Sequence, residues 1–285
     1  IKLGTWYPMG GMYKLVEAMK LVAESQGANF HFNSAVKSIS TNHGSVNGLL
    51  LNSQFVSTDV LIASADYHHV EQTLLPENDR SYSESYWDSR TMAPSCLIFY
   101  LGIDKKLSNI EHHNLFFDES FDDHARQIYD QPEWPDHPLF YVCCPSVTDH
   151  SVAPEGKENL FFLMPIGADL EDSEIIRERY FTMLVDRFES LTGNHIREHI
   201  EVKHSYCSHE FVSDYGAFKG NAYGLANTLR QTAFLKPKMR SKKLDNLFYT
   251  GQLTSPGPGV PPSIISGKTV ATLVNQTMTS TLNIH

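Results

Sequence analysis

Residues 251–262 read Gly-Gln-Leu-Thr-Ser-Pro-Gly-Pro-Gly-Val-Pro-Pro, with three glycines and four prolines in one short stretch. No helix or strand interior tolerates that density, so the stretch is a tight loop. Leu247-Phe248-Tyr249-Thr250 precedes it as a short strand, and Ile264, Ile265, Val270, Ala271 and Val274 follow it on one helical face. Pro261 and Pro262 suit the first turn of that helix, where a missing N–H costs nothing. The chain is thereby committed to strand, glycine loop and helix N-terminus. That arrangement gathers backbone N–H groups and a positive dipole end at one point, which suits an anionic or electron-rich ligand. A structural turn braced by prolines has the same composition.

Upstream, the spacing of Met12, Leu15, Val16, Met19, Val22 and Ala23 predicts a helix that Gly27 stops with a left-handed cap. Phe30 and Phe32 alternate with polar neighbours, and Val36 and Ile39 continue the extended pattern. Asn42-His43-Gly44 then supplies a hairpin turn before Val46–Leu51. Asp59–Ala63 reads as a buried strand that ends in Ser64-Ala65-Asp66 and leads into a helix through Leu75. From about residue 76 to 204 the character changes to aromatic-rich strands at 95–102, 114–117, 139–143 and 159–165, with an amphipathic helix over 174–191.

Net charge and cysteine usage narrow the function classes. With 33 acidic against 23 basic side chains the chain carries −10, which disfavours nucleic acid, because that affinity comes from clustered Lys and Arg at phosphates. Four cysteines without a C-x-x-C spacing fit a reducing, cytoplasmic compartment. No run reaches the roughly 18 apolar residues that a membrane-spanning helix requires. Of the fourteen histidines, His195 and His199 are spaced to share a helical face, while His68-His69 and His112-His113 are adjacent and predicted to diverge. No motif completes a metal site, and none is expected.

Gly4-x-Trp6-Tyr7-Pro8-x-Gly10-Gly11, Ser64-Ala65-Asp66, Pro145–Asp149 with Ala153-Pro154-Glu155-Gly156, Gln231-Thr232-Ala233-Phe234 and the 251–267 loop together resemble the bacterial-type phytoene desaturase family of carotenoid desaturases, in order and in interval. The resemblance runs the length of the chain. It implies a mixed α/β fold of the amine-oxidase-like flavoprotein superfamily, with FAD-domain segments flanking a mixed-sheet substrate domain. The expected division is 1–75 as an FAD-domain segment, 76–204 as the substrate domain, and 205–285 as the substrate-domain return and final FAD-domain segment. The family's N-terminal strand with G-x-G-x-x-G is not in this sequence. Ile1 and that difference together read as the C-terminal part of a longer protein, which alone is expected to be inactive.

The resemblance implies FAD as cofactor and phytoene, or another carotenoid, as substrate. It places Val36 near the adenine or its ribose, although a core β-branched residue serves there equally well. Gly251 matches a ribityl-pyrophosphate contact where a side chain would collide with the cofactor. Gln252 stands where related flavoproteins often carry an acid that holds a ribityl hydroxyl. Gly259, Val260 and Pro261 match the loop at the isoalloxazine edge, with Ser263 and Ile264 opening the next helix. Trp6, Tyr7 and Phe218, with Phe99, Phe140 and Phe162, are candidates to line a path for the hydrocarbon, or are simply core residues. Glu210, Asp214 and Tyr215 are candidate polar groups by the same resemblance. Such a substrate implies a protein docked peripherally on a membrane. The alternatives are a C30 diapophytoene desaturase, a hydroxy- or methoxy-carotenoid desaturase, a carotene isomerase, a retinol saturase-like reductase or a non-catalytic flavin-binding remnant. Oligomeric state has no signal in the sequence.

Overall fold

The computed structural model describes residues 6–282; Gly4, part of the opening motif, lies outside the described residues. Two compact units make up the chain. The first holds residues 6–32, 96–166 and 170–207, and the second holds 33–95, 167–169 and 208–282.

In the first unit, Ser95–Ile103, His113–Phe116, Phe140–Cys143, Glu158–Ile166 and Ile200–Tyr206 form a five-stranded sheet. From one edge its order is His113–Phe116, Phe140–Cys143, Glu158–Ile166, Ser95–Ile103, Ile200–Tyr206. Burial along Glu158–Ile166 alternates residue by residue, as expected when one face is covered. Leu97, Phe99, Phe140, Val142, Phe162 and Met164 lie in a core that also holds Tyr180, Leu184 and Phe188 of the helix Glu174–Thr192. Ser173 caps that helix by accepting from the Ile176 N–H, and Gly193 ends it at φ +72°. Phe99, Phe140 and Phe162 are therefore interior residues of this unit, each 2% exposed or less.

Three expectations are corrected here. Phe30 and Phe32 precede the strand, which begins at Val36. They stack on each other at 6.2 Å with the Lys20 ammonium over Phe30. His195 and His199 do not share a helix: His195 lies in the loop after Thr192, and His199 ends a single 3-10 turn and pairs with Asp104. Asn194 explains the break. Its side chain bonds both the N–H and the carbonyl of Ser108, which holds the backbone off a helical course. His112 and His113 converge, with ring centroids 4.4 Å apart, because His112 precedes the strand and escapes its alternation.

The second unit has a three-stranded antiparallel ribbon, Val36–Asn42, Ser45–Leu51 and Gln54–Ser57. It also contains a parallel pair in which Leu61–Ala63 lies beside Leu247–Tyr249. The two strands of that pair are far apart in sequence and both lead into chemically special turns, Ser64-Ala65-Asp66 and the 251–262 loop. The helix expected after Asp66 is a short α turn, Tyr67–His69, that relaxes into a π turn over Val70–Leu74. Around it Tyr67, Tyr82, Trp87 and Tyr249 form an aromatic cluster, with Tyr67 stacked on Tyr249 at 3.8 Å. Among the described residues no helix is long and apolar enough to cross a membrane.

Candidate functional site

Parallel strands that end side by side project their following turns to one place, the usual ligand position in open α/β sheets. Here the ends of Leu61–Ala63 and Leu247–Tyr249 deliver Ser64-Ala65-Asp66 and Thr250-Gly251-Gln252 to the walls of a cavity of about 350 Å³. Phe211, Tyr215, Ala217, Asn221 and Ala222 complete it. A larger cavity of about 970 Å³ shares Ser64 and Ala65 as wall residues and is lined by Val36, Ile39, His68, Asp214, Tyr215 and Phe218, among others. The second unit alone thus brings together Val36, Phe218, Asp214 and Tyr215 around one space, and Gly251, Gln252 and Tyr215 around its neighbour.

Gly251 adopts φ +104°, a region that L side chains rarely enter. A Cβ built there has the Ser64 carbonyl at 3.7 Å as its only neighbour within 4 Å, so a side chain would stand beside Ser64 at the wall of the smaller cavity. Its N–H is already held by Ser266 Oγ at 3.1 Å, and Ser266 also meets Thr250 Oγ1 at 2.6 Å. What Gly251 offers a ligand is close approach to backbone, not a donor.

The structure explains why position 252 is Gln. Gln252 Nε2 donates to Asn221 Oδ1 at 3.2 Å, and that oxygen also accepts from the Gly224 N–H at 2.7 Å. A carboxylate at 252 would face an acceptor. With its amide nitrogen tied down, Gln252 keeps Oε1 as an acceptor for a hydroxyl.

The C-terminal helix opens at Val260 and runs to Leu282, so Pro261 and Pro262 fall in its first turn as expected. Ser263 does not open it, and its N–H is spent on the Gly259 carbonyl at 2.9 Å. Because the prolines carry no N–H, Val260 is the residue that supplies a first-turn donor. Ser266 and Val270 are buried, while Ile264 and Ile265 are 43% and 52% exposed.

Asp66 ties the first of these turns to the segment at Phe218. Its carboxylate accepts from the His69 N–H at 3.1 Å and the Phe218 N–H at 3.3 Å, and burial pushes its pKa up. Phe218 stacks on His68 at 4.0 Å. Trp6, by contrast, is 84% exposed in the first unit, where Tyr7 packs its ring edge-on to His112 at 4.7 Å. Glu210, another candidate of the sequence reading, lies on the helix Ser208–Tyr215.

Sequence reasoning missed two features. Lys236 is 3% exposed, its ammonium has no hydrogen-bond partner among the described residues, and a Cβ on Gly257 would stand 3.6 Å from it. Burial pushes its pKa down, and an unpaired buried cation is costly. Glu71, fully buried, bonds the 81–82 segment and Tyr249, the strand residue that leads into the glycine loop. The open backbone at Gly251 and the buried Lys236 ammonium beside Gly257 both fit an electron-rich, partly anionic ligand such as FAD.

Known proteins resemble this chain along most of its length. The flavin-containing amine oxidoreductase family matches residues 2–275. A carotenoid 3,4-desaturase of Haloarcula japonica is 38% identical over 94% of this chain and 54% of its own length. A zeta-carotene-forming phytoene desaturase of Myxococcus xanthus is 28% identical over 94% of this chain and 52% of its own. The chain spans about half the length of the curated relatives it matches. In fold it is similar to an oxidoreductase from Methanosarcina mazei, with a TM-score of 0.61 at 13% identity, over 94% of this chain and 55% of that one. The chain belongs to the flavin-containing amine oxidoreductase family, which bears out the flavin cofactor that the sequence resemblance implies.

Proposed function

We propose that the whole protein is an FAD-dependent carotenoid desaturase, and that the second unit of this chain forms one wall of its flavin site. The observation that carries this reading is the convergence of Ser64–Asp66 and Thr250–Gln252 at the ends of a parallel strand pair, with Gly251 held open to close approach. Bound flavin supplies the hydride acceptor needed to oxidise an allylic C–H. The residues of this chain bind and orient. Gly251 lets the cofactor approach the backbone, Gln252 Oε1 receives a hydroxyl, and the Val260 N–H with the helix dipole favours negative charge at the loop. Phe218, on His68 beside the larger cavity, presents an apolar surface to a hydrocarbon.

Phytoene, desaturated toward lycopene, is the substrate that the motif pattern implies. The 38% identity to a carotenoid 3,4-desaturase favours a second reading, desaturation of a later carotenoid at its 3,4 bond. Whole protein with bound FAD, given phytoene or a later carotenoid still saturated at its 3,4 bond in liposomes, is expected to yield a product with a longer conjugated chromophore from one of them. Chromatography with absorbance detection reads this directly. No conversion of either substrate, with flavin fully bound, overturns the desaturase reading.

A C40 hydrocarbon loses many kcal/mol on leaving lipid, at about 25 cal/mol per Å² of apolar surface, so substrate is expected to pass directly from a bilayer. Met12, Val16, Met19 and Val22, on and just before the helix Tyr13–Ser25, are all at least half exposed and provide apolar surface for such docking. With a net charge of −10, attraction to anionic headgroups contributes little. Flotation of whole protein with liposomes is therefore expected to be the same in low and high salt. Release by salt would show that charge holds the protein to the membrane instead.

A further inference from the structure

The edge of the five-stranded sheet carries a group of side chains that the desaturase reading does not use. His113 sits directly across from Cys143 in the antiparallel register, and the Cys144 N–H donates to the His112 carbonyl at 2.9 Å, which brings His112 beside them. One ligand atom from each of His112, His113 and Cys143 lies within 4.8 Å of the others. Two imidazoles and a thiol at such spacing are a borderline-soft donor set suited to zinc.

Outer-shell contacts fix both rings. His112 Nδ1 meets Thr148 Oγ1 at 2.9 Å, and His113 Nδ1 meets the Tyr141 hydroxyl at 2.6 Å. Hydrogen bonds of this kind set the orientation of metal-bound histidines. Tyr7 closes one side of the group, its ring edge-on to His112 at 4.7 Å, and the Gly10 N–H donates to Asp149 Oδ2 at 2.5 Å nearby in the chain. Thr148 and Asp149 belong to one short segment, so the same stretch of chain orients a histidine and anchors the opening Tyr7–Gly11 turn. Cys143 is a free, half-buried thiol, and His113 is exposed. The site is thus reachable from solvent, which can supply a fourth ligand as water.

We propose that His112, His113 and Cys143 bind one zinc-class divalent cation, with three protein ligands and an open fourth position, at the sheet edge where the Tyr7–Gly11 turn docks. The donor set excludes calcium and magnesium, which take oxygen ligands. Binding converts the Cys143 thiol to thiolate and releases its proton to solvent, with no change in oxidation state. A cation there ties His112 and His113 to the neighbouring strand and so braces the turn that carries Tyr7.

Cobalt(II) titration of the whole, chelator-treated protein tests this. The expected result is one equivalent bound with a thiolate-to-cobalt charge-transfer band, displaced by equimolar zinc. Cys143→Ser is expected to abolish the band, and His112→Ala to weaken zinc binding at least about tenfold. His137→Ala, a change at an exposed histidine remote in sequence, is expected to leave both readings unchanged. Absence of the band in wild-type protein overturns the proposal, and so does equal loss of zinc in the His137→Ala control. Circular dichroism of each variant separates loss of ligand from loss of fold, and a folded Cys143→Ser protein that keeps full zinc affinity also refutes the site.

Discussion

Placing a branched side chain at position 251 is expected to strip flavin from the whole protein. Gly251→Val acts through two effects. The backbone at φ +104° is barely accessible to a β-branched residue, so the loop must shift or carry strain of about 1–3 kcal/mol. A valine would also put a branched side chain, with the Ser64 carbonyl 3.7 Å from its Cβ, at the wall of the smaller cavity, where the open backbone now leaves space. Relaxation is limited, because Ser266 holds the Gly251 N–H and the Thr254 N–H returns to the Gly251 carbonyl at 3.1 Å. Flavin-to-protein ratio after gel filtration is expected to fall from near one to below about a tenth, since a penalty of about 1.4 kcal/mol already costs a factor of ten. Gly251→Ala should show an intermediate loss. A valine variant purified with stoichiometric flavin would mean that the loop lies elsewhere relative to the cofactor.

The loop itself was legible in the sequence because its chemistry is local. Four prolines and three glycines admit few conformations, and the flanking apolar periods say which elements they join. Most of the five-stranded sheet was legible for the same reason, since aromatic and β-branched runs such as 95–103 and 158–166 have no competing period. What escaped was set by contacts between distant residues. Asn221 lies 31 positions before Gln252, yet it determines why an amide and not a carboxylate stands there. The convergence of His112 and His113 depends on where the strand begins, a boundary that residue pattern leaves uncertain by a few positions. The interior places of Phe99, Phe140 and Phe162 follow from which face the helix Glu174–Thr192 covers, and an aromatic residue looks the same in sequence whether it lines a path or fills a core.

Glu71 offers the sharpest test of how the second unit holds its cavity wall, since nothing around it in sequence marks it as special. Its carboxylate is fully buried and accepts from the Ser81 N–H at 2.9 Å, the Tyr82 N–H at 3.0 Å and the Tyr249 hydroxyl at 3.0 Å. Tyr249 stands two residues before Gly251 and stacks on Tyr67, whose hydroxyl donates to the Lys238 carbonyl at 2.9 Å. One side chain therefore locks the turn after Asp66, the 81–82 segment and the strand that feeds the glycine loop. Glu71→Ala would orphan two backbone donors and a phenol at about 1–3 kcal/mol each, for a total of about 4 kcal/mol. The melting temperature is expected to fall by about 10 °C at neutral pH. Burial pushes the Glu71 carboxyl above its ordinary value, outweighing the donors that favour its ionised form. A carboxyl raised in this way stabilises the fold most below its unfolded pKa of about 4.3 and loses that contribution as pH rises through the folded value. The gap between wild type and Glu71→Ala should accordingly be widest in mild acid and narrow toward neutrality. Glu71→Gln keeps the shape but turns an amide N–H₂ toward one of the donors, so its melting temperature should fall between the two. A Glu71→Ala protein that melts within a degree or two of wild type would show that the three segments are held by the aromatic cluster alone.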